Sequence, residues 1–115
     1  MINLDLQKRW TVLIKQLEQQ FGEGLDLDAV LFLIGVQELG QGFRTFSKNE
    51  KIDLMHIAIC RVLVQYGYYE YLGVDGDGWP HYEALSKLPK LNPNAQSMLM
   101  KEAILDYFEN SALLN

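Results

Sequence analysis

The stretch from Ser47 to Gly73 constrains this chain most, because it carries a long helix signal that is apolar on more than one face. Ser47 and Glu50 stand in the S-x-x-E relation of a capping box, in which hydroxyl and carboxylate satisfy backbone N–H groups left open at a helix start. From Ile52 to Tyr66 only Asp53, His56, Arg61 and Gln65 interrupt the apolar residues. At helical spacing Val62, Met55, Tyr66, Ile59, Ile52 and Leu63 fill one arc, while Leu54, Ile57, Cys60 and Val64 scatter over the far side. A helix apolar on both sides needs neighbours around it. The expectation is an all-α, irregular or orthogonal bundle of about five helices, with a central buried helix near residues 48–70.

The flanking pattern supplies the other helices. Leu6, Trp10, Leu13, Leu17 and Phe21 repeat at helical spacing and place a helix from Leu4 to Phe21, closed by Gly22-Glu23-Gly24. Asp26 or Asp28 can cap a second helix, Leu27 to Leu39, although its apolar middle also reads as a buried strand. Gly35 lowers helix propensity there, and close approach of a neighbouring helix is the expected compensation. A loop follows, with Phe43 and Phe46 expected to pin it to the core. Gly67 marks a kink, and Tyr68 to Leu72 form a last helical turn or an extended exit. Gly73-Val-Asp-Gly-Asp-Gly78 is a loop, after which a short helix from Trp79 to Leu88 fits Asp77 as cap and Pro80 in the first turn. Asn92-Pro93 starts the last helix, to Phe108 or Glu109, with Met98, Leu105 and Phe108 in one apolar line. No linker divides the chain, so residues 1–115 read as one helical domain.

An apolar content of 49% argues for a folded core. The longest apolar run, Ala29 to Val36, is short of the roughly 20 residues that span a bilayer. The start Met1-Ile-Asn-Leu-Asp5 lacks the basic and apolar blocks of a secretory signal. The single cysteine suits a reducing compartment. A cytoplasmic protein without membrane attachment is expected. The net charge of −5 opposes attraction to nucleic-acid phosphates.

Three constellations carry possible chemistry. Asp53, His56 and Cys60 share a helix strip about 60° wide, where they could act as catalytic or metal-binding groups. No second Cys or paired E-x-x-H completes a metal shell, so no metal or cofactor is expected. The calcium-loop match around Asp75 and Asp77 lacks its first aspartate and its closing acid. Arg44, Lys48 and Lys51 lie beside a helix N-terminus and are candidates for anion binding. Tyr66, Tyr68, Tyr69, Tyr71, Trp79 and Tyr82 exceed what a small core can hold, and such residues favour protein contacts. The acids Glu70, Asp75, Asp77 and Glu83 among them read as solvated surface in preference to the footprint of a basic partner, as do Glu18, Glu23, Asp26 and Asp28. Together these features suggest a non-enzymatic interaction or self-association module, contacting a protein partner or forming a homodimer through residues 66–82. The alternative is a small enzyme or ligand-binding protein built on Asp53, His56 and Cys60.

Overall fold

The computed structural model describes residues 4–85 and 89–110. In chain order they form α1 (Leu4–Phe21), α2 (Leu27–Leu39), α3 (Lys48–Val64), β1 (Tyr69–Val74), β2 (Pro80–Ala84) and α4 (Pro93–Glu109). The protein is mostly helical but not all-α. Among the described residues there are four helices rather than five, and a two-stranded antiparallel sheet takes the place of the expected helix after Trp79. No helix among them is long and apolar enough to cross a membrane. The chain divides into two compact units, Met1–Asp26 with Lys90–Asn115, and Leu27–Pro89.

In the first unit α1 packs on α4. Leu6, Leu13 and Leu17 of α1 are buried, as are Ala103, Ile104, Leu105, Tyr107 and Phe108 of α4. Met98, expected on the same apolar line, is exposed. Arg9 pairs with Glu109 across the two helices. Asn92 caps α4 by accepting the Ala95 N–H at 2.8 Å, and Pro93 follows where its missing N–H costs nothing.

In the second unit α2 lies against α3. The fit depends on Gly35: a Cβ placed there would stand 2.3 Å from the Leu54 carbonyl oxygen, so any side chain would force the helices apart. This close approach brings Leu54, Ile57 and Cys60 to the buried side of α3, while Ile52, expected on the apolar arc, is exposed. Val36, Leu39, Phe46 and Leu54 form a core cluster, with Phe32 and Trp79 packed against it. Phe46 pins the loop before α3 as expected; Phe43 is exposed instead. The capping box is complete, with Ser47 Oγ accepting the Glu50 N–H and Glu50 accepting the Ser47 N–H.

The central helix ends at Val64, short of the expected 70. Gly67, at φ +81°, takes the left-handed conformation. The Tyr68 N–H reaches back to Leu63 O and the Gly67 N–H to Val64 O, the paired bonds of a Schellman closure. Gly67 is a stop, not a kink. The chain then leaves in the extended form and returns as a hairpin. Its turn is organised by Asp75, whose backbone oxygen accepts the Gly78 N–H and whose Oδ1 accepts the N–H groups of Asp77 and Trp79. Gly78, at φ +85°, completes a four-residue turn over 75–78, in which aspartate at the first position and glycine at the last are preferred. The expected helix from Trp79 to Leu88 is thereby overturned for 79–85, and Ser86 to Leu88 lie outside the described residues. Asp77 caps no helix, and Pro80 opens a strand, a position where its missing N–H is tolerated.

Candidate interaction surface

The hairpin sorts the aromatic residues that the sequence shows as one crowd. Its register pairs Tyr69 with Ala84, Glu70 with Glu83 and Tyr71 with Tyr82, then slips by one residue at Leu72 before Gly73 meets His81. Neighbouring residues on a strand point to opposite faces. Tyr69, Tyr71 and Tyr82 therefore share one face and Glu70 and Glu83 the other. The tyrosine face turns to α3: the Tyr71 and Tyr82 rings meet at 5.5 Å, beside Arg61 and Val64 of α3, Pro80 and Glu38 of α2. Arg61 and Glu38 tie α3 to α2 with a 3.0 Å ion pair. Burial, helped by the nearby Glu38 carboxylate, pushes the Tyr82 hydroxyl up to about 12. Tyr82 and Trp79 are thus packing residues. Tyr68 and Tyr69 are half-buried, whereas Tyr66 and Tyr71 are exposed.

What the hairpin leaves in solvent lies mainly on β1. Tyr71 is 54% exposed, Leu72 58% and Val74 60%, so three large apolar side chains of one short strand stand more than half open. Beside them the exposed Glu70 and Glu83 sit directly opposite each other. Facing Cβ atoms in such a pair are roughly 5 Å apart, and like charges there destabilise the sheet. Among the described residues neither glutamate has an ion-pair partner. Sequence reasoning counted them as solvated surface. The clue was the Asp75-Gly-Asp-Gly78 turn, which fixes a hairpin and so brings residues 70 and 83 face to face.

A concavity of about 420 Å³ lies between α3 and the turn and is lined by Glu50, Asp53, His56, Ile57, Asp75, Trp79, Pro80 and His81. Several of its polar groups already have structural work. Asp75 also meets His81 Nε2 at 2.9 Å, and this bond, with those from Trp79 and Asp77, holds its carboxyl below the usual carboxylate range. Glu50 is lowered likewise by the Ser47 N–H and Arg44.

Within the helix strip His56 and Cys60 come together, with the thiol on the buried side. Asp53 and His56 are exposed, while Cys60 is fully buried with its Sγ 3.6 Å from His56 Nε2. Burial pushes the thiol up to about 11, the opposite of what a nucleophilic cysteine needs. Among the described residues no group of three or more His, Cys, Asp and Glu side chains is arranged to hold a metal ion. Of the anion-binding candidates, Arg44 already has partners. Arg44 bonds Glu50 at 3.1 Å and lies 4.3 Å over the Phe46 ring, and the capping box occupies donors at the start of α3 beside the exposed Lys48 and Lys51. Comparison with family models, curated proteins and solved structures found no match.

Proposed function

We propose that this chain is a non-enzymatic protein-interaction module whose contact surface is the β1–β2 hairpin, engaging a protein partner or a second copy. The supporting observation is the exposure of Tyr71, Leu72 and Val74 on one strand of a sheet that, among the described residues, has only two strands. Apolar side chains grouped in this way, with a polar surround, mark contact sites rather than ordinary surface. The strand is also held rigidly by its aspartate-centred turn and its packing on α3, so little ordering remains to oppose binding. An enzymatic role for Cys60 has no such support, since its thiol is buried and protonated at neutral pH.

The test compares the wild-type chain with Leu72→Lys, which puts a charge on the exposed strand without touching the core. Sedimentation at rising concentration reads self-association, and affinity capture from the source cell reads other partners. The expected result is an association present in the wild type and lost in the variant, with unchanged circular dichroism. A monomer that captures the same proteins in both forms would overturn the reading.

A further inference from the structure

We infer that the hairpin docks a second copy of this chain, tyrosine face to tyrosine face across a two-fold axis, with Arg61 of each copy meeting the partner's Glu38. This rests on the reading of the hairpin as the contact surface and specifies what that surface takes. The register fixes which side chains take part. Val74 pairs with Pro80, and Pro80 alternates with Tyr82 along β2, so Val74 stands on the same face as Tyr71 and Tyr82. On that face Tyr71 is 54% exposed and Val74 60%. Beside them lies a concavity of about 480 Å³ lined by Glu38, Arg61, Val64, Tyr71, Pro80 and Tyr82. Four of these side chains are apolar or aromatic, and the other two carry opposite charges.

The charges select the occupant. Arg61 and Glu38 stand 3.0 Å apart and cancel, so a strongly basic or acidic partner would be drawn by one and repelled by the other. A two-fold contact sets residue i against j and j against i, which brings plus against minus twice. A guanidinium has five N–H donors and a carboxylate two oxygens, so each group can serve its own chain and the partner together. The acids of the two strands do not oppose the contact, because Glu70 and Glu83 lie on the other face of the hairpin. The sheet edges point to contact through the face rather than by strand addition. The strand slip at Leu72 disrupts the β1 ladder, and Pro80 removes a donor from β2, two devices that discourage a further strand.

The experiment is sedimentation equilibrium of the full chain at rising concentration, with circular dichroism reporting the fold of every variant. The wild type should form a reversible dimer. Val74→Lys, which leaves the Arg61–Glu38 pair intact, should weaken it about tenfold or more. Arg61→Glu and Glu38→Arg should each be monomeric alone and associate when mixed, since one then presents two negative groups and the other two positive. The swapped variant Arg61→Glu/Glu38→Arg should restore the dimer, and with Val74→Lys it decides the matter if a single charge variant loses its fold. A monomeric wild type, a dimer indifferent to Val74→Lys, or folded charge variants that ignore each other on mixing would overturn the inference. A dimer lost with Leu72→Lys but kept by Val74→Lys would also overturn it, yet leave the hairpin as contact surface, as would a monomer whose cellular partner is lost with Leu72→Lys. A dimer kept by both variants would remove the hairpin reading too.

Discussion

Replacing Gly35 by alanine tests the helix contact on which the second unit is built. On propensity alone the change is favourable, since alanine stabilises a helix interior by about 1 kcal/mol relative to glycine. The tertiary contact opposes it. The new Cβ would lie 2.3 Å from Leu54 O, 2.8 Å from Leu54 C and 3.0 Å from Leu54 Cβ. Ordinary contact begins at 3.4 Å, so the oxygen is about 1.1 Å too close. Leu54 O belongs to the backbone of α3 and cannot swing aside as a side-chain tip would. The helices must separate, loosening Val36, Leu39 and Leu54 in the adjoining cluster. Overpacking of this kind costs about 1–3 kcal/mol, and a backbone clash belongs at the upper end. After the propensity gain, a net loss of about 2 kcal/mol is expected, or roughly 8 °C in melting temperature. The assay is urea unfolding followed by Trp79 fluorescence in a Trp10→Phe background, because Trp79 packs on that cluster. Gly76→Ala is the control: nothing lies within 4 Å of its added Cβ, and it should be neutral or stabilise by about 0.4–1 kcal/mol. Equal or greater stability of Gly35→Ala would refute the reasoning.

Other perturbations probe separate features. Ser47→Ala removes the hydroxyl that accepts the Glu50 N–H and should cost on the order of 1 kcal/mol, read as a lower urea midpoint with unchanged slope. The Cys60 thiol should resist alkylation in the native protein at pH 8 and react once the chain is unfolded in urea. Because its folded pKa is raised to about 11, its contribution is complete below the unfolded value near 8.5 and is lost as pH rises toward 11. A decline on the order of 2–3 kcal/mol over that window is expected, and it should be smaller in Cys60→Ala. Asp75→Ala should open the hairpin turn, seen as faster amide exchange at Asp77 and Trp79; in the wild type the same change should appear only as pH falls below the usual carboxylate range, since Asp75 is held under it. Chelator treatment should leave the melting temperature unchanged, and a loss restored by zinc or calcium would refute the expectation that the chain folds without metal.

Periodicity and capping by themselves determined the four helices. The spacing of Leu6, Trp10, Leu13, Leu17 and Phe21, the Ser47/Glu50 box and the Asn92-Pro93 start are local signals, and each acts within a turn or two of the residue that carries it. Gly35 was legible for the same reason: a glycine in a helix implies a close neighbour. Which backbone it meets was not legible, and that contact decided which side of α3 is buried. The hairpin was misread because Trp79 and Pro80 satisfy helix-start rules as well as strand rules. The choice fell to contacts distant in sequence: Asp75 bonding Trp79 and His81 across the turn, Tyr82 meeting Tyr71, and both strands lying on α3. The candidate surface followed from that choice. Tyrosines 66 to 71 and Tyr82 were visible as a surplus, but only strand register separates those that pack from those that face solvent. It also sets Glu70 opposite Glu83. Composition fixes how many such side chains there are; cross-strand pairing fixes which of them meet, because a pleated strand sends alternate residues to opposite faces.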